Sequence, residues 1–271
     1  MTIQSVPSGA SPRRAVVAGH EVEPGGRPLL ICLSHLRWDF VWQRPHHLLS
    51  RASADYDVVV VEEPDVGRSG AVGLRSVVRD HGIEVVTPLL PAGLRPREAV
   101  AAQRSLLDQV VVREGREPDI LWYYTPMALE FSRHLSAPAT VYDNMDELSL
   151  FRGASQRIID LEAELLTRAD VVFTGGASLY EAKRDRHPNI HCFPSSIDRA
   201  HFVRARRARG DRPADQAGLP GPRLGFFGVI DERMDLALLE ATASLRPDWT
   251  FVMIGPVVKI DPGSLPRRDN I

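Results

Sequence analysis

The sequence is poor in cysteine, with two in 271 residues, Cys32 and Cys192. Both fall inside apolar runs, LLICLS and IHCFP, where a thiol serves as a small hydrophobe in a reduced compartment. Long apolar runs are missing as well. None approaches the roughly 18 residues of a membrane-spanning helix, and Arg13-Arg14 is followed only by AVVAG, too short for a signal-peptide core. Charge of one sign is also lacking: 33 basic against 35 acidic side chains leaves −2, so no global field draws the chain to nucleic acid or to an anionic membrane. No G-x-G-x-x-G follows a strand, which argues against a dinucleotide-dependent epimerase or dehydrogenase. No repeat of solenoid period occurs. What remains is a cytoplasmic enzyme or binding protein.

What is present is an αβ alternation. Residues 1–27 are rich in Ser, Pro and Gly, show no period, and read as a loose tail. From Leu29 onward, seven apolar runs read as strands: Leu29 onward (LLICLS), 57–64, 83–88, 118–126, 140–149, 169–174 and 189–194. Between them lie helical stretches. Pro45 suits the first turn of one, and Leu106, Leu107, Val110 and Val111 share a face of another that runs from Pro96 to Arg113. Strands that are apolar throughout are buried on both faces, so residues 28–203 are expected to form a doubly wound parallel sheet. Residues 204–221, RARRARGDRPADQAGLPG, are charged, Pro/Gly-rich and aperiodic, and read as an inter-domain linker. A new strand–helix–strand unit begins at 222 and runs to 271, with turns at Gly228 and Gly255-Pro256. Open α/β sheets bind ligands at such strand ends.

Several segments together resemble a known family. HLRWDFVWQRPHHLLSRAS resembles the entry loop of a subgroup acting in exopolysaccharide and teichuronic-acid-type synthesis. ADVVFTGGASLYEAKR resembles the last unit of that family's N-terminal domain. FPSSIDRAHF stands where members carry an Asn-Gly-Val-Asp turn, and LGFFGVIDERMDLALL with WTFVMIGP resembles the opening of the donor domain. The family is the GT-B-fold glycosyltransferases of family 4, also called glycosyl transferases group 1, and the resemblance covers residues from about 29 to 271. It implies an α/β, GT-B-type chain: a Rossmann-like acceptor-side domain followed by the start of a Rossmann-like donor-side domain, truncated before the family's paired glutamates. A second departure is Val229, where the family often has an Arg after the donor-domain glycine.

The resemblance further implies a hexosyltransferase-type enzyme that is retaining, metal-independent and cofactor-free, with these 271 residues alone expected to bind a nucleotide sugar weakly or not at all. It would move a sugar from a nucleotide-sugar co-substrate to a cell-surface glycan or lipid-linked acceptor, in peripheral contact with the inner membrane face and without nucleic acid. On the donor side it points to Gly228, Asp231, Arg233, Gly255 and Lys259: glycines for close backbone approach, Asp231 to cap the helix, and Arg233 and Lys259 for the diphosphate. A plain βα turn with a surface Arg explains the same residues. Trp38, Asp39 and Arg44, at the carboxyl end of the first strand, suit the floor of an acceptor-sugar site or a hinge, or else ordinary aromatic packing. Tyr124 ends a neighbouring strand and would line the acceptor side. Asp143, Asp146 and Glu147 form an acidic loop that could supply a base or position an acceptor hydroxyl, or simply cap a helix.

His46-His47 does not read as a metal site, since adjacent helical residues do not face one point. The run Arg204, Arg206, Arg207, Arg209, Arg212 reads as a solvated linker or as a contact for anionic lipid headgroups. The rival to the enzyme is a non-catalytic glycan- or partner-binding module, because a lone parallel strand pair has two open edges.

Overall fold

The computed structural model describes residues 26–150, 154–207 and 213–271. Residues 1–25 of the expected tail, and Arg209 and Arg212 of the basic run, lie outside the described residues. The described chain divides into two compact units, one ending at Asp198 and one beginning at Arg199.

In the first unit the strands are β1 (Leu29–Leu33), β2 (Asp57–Val61), β3 (Asp65–Val66), β4 (Gly73–Val78), β5 (Glu84–Leu90), β6 (Ile120–Tyr123), β7 (Ala139–Asn144), β8 (Val171–Thr174) and β9 (Ile190–Cys192). They form one sheet in the order β3-β5-β2-β1-β6-β7-β8-β9, with β4 also paired to β5. The seven expected strands are all present. Two were missed. Gly73–Val78 is one of them: it pairs antiparallel along β5, so the sheet is mixed rather than purely parallel. Its half-exposed GLRSVV pattern lacks the continuous apolar run by which the buried strands were recognised.

The helices follow from their ends and faces. Helix α1 (Arg44–Ala52) has Pro45 in its first turn. Helix α2 (Pro96–Glu114) opens on Pro96, with Glu98 accepting from the Arg95 N–H at 3.0 Å, and stops at Gly115, whose φ of 68° ends the helix without a Cβ penalty. Helices α3 (Leu129–Ser132), α4 (Gln156–Arg168) and α5 (Ala177–Lys183) complete the unit. The pleat of β1 sorts its side chains into two layers. Leu29, Ile31 and Leu33 pack with Leu107 and Val110 of α2, Leu129 of α3, and Leu161 and Leu165 of α4. Leu30 and Cys32 face the other way, toward Leu49 of α1 and Trp38. The strand is buried throughout, and each such aliphatic side chain contributes about 1.5–3 kcal/mol. Both cysteines are free.

The second unit opens with helix α6 (Arg199–Arg207), so the expected linker is helical through Arg207 rather than aperiodic. Strands β10 (Arg223–Phe227) and β11 (Thr250–Ile254) pair in parallel around helix α7 (Leu236–Leu245). The cap of α7 is Asp235, which accepts from the Leu238 N–H at 2.9 Å. Asp231 does not cap it, because the helix begins four residues later than that expectation required. The last residues fold back: Phe251 N–H donates to the Asn270 carbonyl at 2.8 Å, and the Asn270 amide donates to the carbonyls of Ala243, Arg246 and Trp249 at 3.0–3.2 Å. These bonds close the carboxyl end of α7, whose last carbonyls have no partners within the helix.

Candidate functional site

At the carboxyl ends of β1, β2, β6 and β7, buried polar groups shape two loops. Glu62, just beyond β2, accepts from the Trp38 N–H at 2.8 Å, the Thr87 hydroxyl at 2.7 Å and Arg37 at 3.2 Å. His46 accepts from the Gln43 N–H through Nδ1 at 3.0 Å, so its proton sits on Nε2 and is donated to the Trp38 carbonyl at 2.7 Å. Held from both sides, Trp38 is only 9% exposed and stacks on the His46 ring at 4.3 Å. The expectation that Trp38 forms an open sugar floor is therefore corrected: it is a core residue. Trp42 also packs on His46, with ring centroids 4.8 Å apart, and is 56% exposed. Asp39 pairs with Arg79.

Arg44, expected to line the acceptor site, and Asp143, expected in the acidic catalytic loop, meet. Arg44 Nε lies 3.0 Å from both Asp143 carboxylate oxygens, and Arg44 also donates to the Phe193 carbonyl. Burial holds the Asp143 pKa above its ordinary value, although Arg44 pulls it down. With its side chain fully buried, Asp143 is a structural anchor and not an open base. Tyr124 is likewise buried, and its pKa is pushed well up by burial and by the neighbouring Asp143 charge. It packs in the core instead of lining an open acceptor surface.

Glu147 belongs to a second buried network. Lys183 Nζ lies 2.8 Å from Glu147 and 2.8 Å from Glu162. Glu162 also accepts from Tyr142 at 3.0 Å and pairs with Arg186 at 3.0 Å. Burial raises the Glu147 pKa, but the bonds from Lys183 and Ser149 outweigh it and the net shift is downward. Glu147 is thus held as a carboxylate by a lysine and is not a free base. Asp146 is half-buried beside His35.

His35 was missed. It is the first titratable side chain after the buried run of β1, which is the signal that marks it in the sequence. Burial lowers its pKa, while the Asp146 charge and a backbone bond to Tyr124 oppose that shift. It lines a cavity of about 190 Å³ with Ser34, Glu62, Glu63, Thr125 and Glu130. At roughly 30 Å³ per water this is the space of about six waters, near the bulk of one sugar ring. Among the described residues no three His, Cys, Asp or Glu stand close enough to share a metal ion.

In the second unit the expected donor-side residues come together. Gly228 N–H donates to the Ile254 carbonyl at 3.0 Å, and beyond it the two strand-end loops stay zipped through Ile230 and Pro256 at 3.0 Å. Gly228 and Gly255 have φ of 149° and 151°. Arg233 grips Asp231 bidentately, at 3.0 Å from Oδ1 and 2.7 Å from Oδ2. The Arg233 hydrogen bond, with Lys259 adding its charge, holds Asp231 below the usual carboxylate range. Asp231 and Arg233 line a cavity of about 590 Å³ with Phe226, Val229, Met234 and Phe251.

No family model matches the sequence. A Bacillus subtilis (strain 168) protein, "Putative teichuronic acid biosynthesis glycosyltransferase TuaH", is 26% identical over 165 residues, covering 56% of this chain and 41% of its own length. The sucrose-phosphate synthase of Thermosynechococcus elongatus superposes with a TM-score of 0.58 at 12% identity, over 89% of this chain and 64% of its own. The UDP-forming α,α-trehalose-phosphate synthase of Burkholderia xenovorans, in complex with glucose-6-phosphate, gives 0.55 at 14% identity, over 86% and 66%. The fold is that of the GT-B glycosyltransferases.

The GT-B chain described here thus spans about two-fifths of its curated relative and about two-thirds of those solved structures. The expected site residues fall into separate arrangements: Trp38 is a core residue and Asp39 pairs with Arg79. Gly228, Asp231, Arg233, Gly255 and Lys259 cluster at the ends of β10 and β11. Asp143, Arg44 and Tyr124 form a buried knot. Glu147 is tied to Lys183, leaving Asp146 with His35.

Proposed function

We propose that this chain belongs to a glycosyltransferase that moves a sugar from a nucleotide-sugar donor to a cell-surface glycan or lipid-linked acceptor. The observation that carries the reading is the cluster at the ends of β10 and β11. Two glycines pack side by side there, so closely that a Cβ on Gly255 would meet the Gly228 carbonyl oxygen, and the guanidinium of Arg233 and the ammonium of Lys259 stand nearby. A nucleoside diphosphate leaving group gains charge as its bond to the sugar breaks, and cations with close backbone approach stabilise that charge. The GT-B fold and the TuaH relative support the same reading.

In this reading the donor C1–oxygen bond breaks with its electron pair going to the β-phosphate, and the acceptor hydroxyl oxygen bonds to C1. The transfer retains configuration and uses no metal, the phosphate charge being met by Arg233 and Lys259. The acceptor side lies at the ends of β1 and β7. There His35 is kept neutral by burial and sits beside Asp146, so it can take the hydroxyl proton. The basic residues Arg204 and Arg206 of α6 would meet anionic headgroups where a lipid-linked acceptor lies. The test is transfer from a panel of UDP- and GDP-sugars to a membrane or glycan extract, with product detected by mass. Transfer that falls at least about tenfold in Arg233→Ala supports the reading. Absence of transfer from every donor in the panel overturns it.

A further inference from the structure

The backbone at Asp146 is held from two sides by one closed chain of bonds. On one side the Asn144 amide donates to the Asp146 carbonyl at 3.1 Å and to the Tyr142 hydroxyl at 2.7 Å. That hydroxyl donates to Glu162 at 3.0 Å, and Glu162 accepts from Lys183 Nζ at 2.8 Å. On the other side Lys183 Nζ lies 2.8 Å from Glu147, the residue that follows Asp146. The chain of bonds leaves β7, crosses α4 to the end of α5, and returns to the loop one residue further on. Lys183, only 2% exposed, is where the two arms meet.

A third contact bears on the same loop. The Asn144 carbonyl accepts from the Gly175 N–H at 2.9 Å. A Cβ on Gly175 would stand 3.0 Å from the Met145 α-carbon, so the turn after β8 packs directly on the backbone ahead of Asp146. Stability alone is a weak reason for such a network. Taking Lys183 and Glu162 out of water is expensive, and apolar side chains of similar volume often hold a fold as well. What the ionic groups add is a fixed bond geometry, and the loop they fix carries Asp146.

Tyr142, Glu162 and Lys183 do not line the His35 cavity, so they reach it only through the loop that they hold. We propose that Lys183 is a positioning residue, which fixes Asp146 beside His35 through Glu147 on one arm and Glu162, Tyr142 and Asn144 on the other. Its part in transfer rests on the reading above, in which His35 takes the acceptor hydroxyl proton; the placing of Asp146 does not. A base works only within hydrogen-bond reach of the proton that it takes. Small displacements of such a group cost large factors in rate.

The test follows the His35 imidazole by NMR across a pH series in the whole chain. The His35→Gln variant identifies its resonance among the nine histidines. Glu147→Ala cuts one arm and Tyr142→Phe cuts the other. Glu147→Gln removes the same charge as Glu147→Ala but keeps an oxygen that accepts from Lys183. All three leave Lys183 bonded to Glu162, so they should fold, and circular dichroism checks that they do. The Asp146 charge opposes the lowering of the His35 pKa by burial, so a released Asp146 should move the His35 titration to lower pH. Glu62, Glu63 and Glu130, which line the same cavity, are unchanged in every variant.

The expected result is that move in Glu147→Ala and Tyr142→Phe, largely reversed in Glu147→Gln. It should be absent in Arg27→Ala, which breaks an ion pair to Asp57 at the amino end of β2. In transfer, the two arm variants should lose about tenfold or more in kcat with the donor KM unchanged. An unmoved His35 titration in both arm variants, or equal moves in Glu147→Ala and Glu147→Gln, overturns the inference. A moved titration without transfer from any donor overturns the transferase reading and supports the positioning. Transfer with an unmoved titration does the reverse.

Discussion

Arg44 and Asp143 lie 99 residues apart in the chain, yet they form one buried ion pair, with Arg44 Nε 3.0 Å from each carboxylate oxygen. The pair ties the start of α1 to the end of β7. Removing one partner strands a charge in a site that water cannot reach, so Arg44→Met should lower stability by about 3–5 kcal/mol at neutral pH. Burial already holds the Asp143 pKa above its ordinary value. Its ionisation therefore costs stability as pH rises through that value, and without Arg44 the cost grows. The deficit of the variant should shrink as pH falls from about 7.5 to about 5, where the stranded carboxyl can take a proton. Urea unfolding at both pH values measures it, and a deficit that stays constant with pH would sink the assignment.

The fold was legible because β1, β2 and β5 are buried on both faces, which leaves continuous apolar runs that no charge interrupts. Helix α2 declared itself by Pro96 and by its apolar face. Strand β4 was not legible: an edge strand carries an exposed, mixed pattern that resembles a loop. The site was harder, because polar residue type does not reveal burial. Trp38 and Tyr124 read as surface aromatics, but Glu62 and His46 fold the loop backbone over Trp38, and Tyr124 lies inside the sheet's second layer. Asp143 and Glu147 read as free carboxylates because their partners, Arg44 and Lys183, lie far away in sequence. The donor-side group was easier, since all its members lie within one βαβ unit.

The carbonyl of Gly228 faces the α-carbon of Gly255 so closely that a Cβ on Gly255 would stand 1.7 Å from that oxygen. On Gly228 itself the nearest atom to an added Cβ is a Phe226 ring carbon at 3.4 Å. Both positions have a φ that disfavours other residues, a strain of about 1–3 kcal/mol, but only Gly255→Ala adds a backbone clash. Gly255→Ala should therefore unfold the second unit at lower denaturant than Gly228→Ala does. Limited proteolysis of the second unit reads the difference, and equal susceptibility of the two variants would contradict it.

Lys183 is buried between Glu147 and Glu162, at 2.8 Å from each. Lys183→Met leaves two carboxylates facing each other, with an expected loss of about 3–5 kcal/mol near neutral pH. Lys183→Arg keeps the charge and should recover part of it. The pH dependence has a defined sign. Glu147 titrates below its ordinary value in the folded chain, so its contribution is present above the unfolded pKa and is lost as pH falls through the folded one. Without Lys183 that contribution disappears, so the wild-type advantage should narrow on acidification. Thermal melts across a pH series decide it; an advantage that stays constant into acid would mean Lys183 acts through packing alone.

Arg233 holds Asp231 bidentately while more than half of its own side chain faces solvent. This arrangement fixes the guanidinium while leaving most of it exposed to solvent. Asp231 stays ionised well below neutral pH because of that pairing, so the fixing persists across the working range. If the cluster takes a nucleoside diphosphate, Arg233→Ala should weaken UDP or GDP binding about tenfold. Arg233→Lys should restore only part of the loss, since a point charge cannot pair with Asp231 and phosphate in the same fork. Lys259→Ala should give a smaller loss that shrinks at high salt, because Lys259 acts on Asp231 of this cluster by its charge. Calorimetric titration at low and high ionic strength separates these contributions. Unchanged nucleotide affinity in Arg233→Ala would place the diphosphate elsewhere.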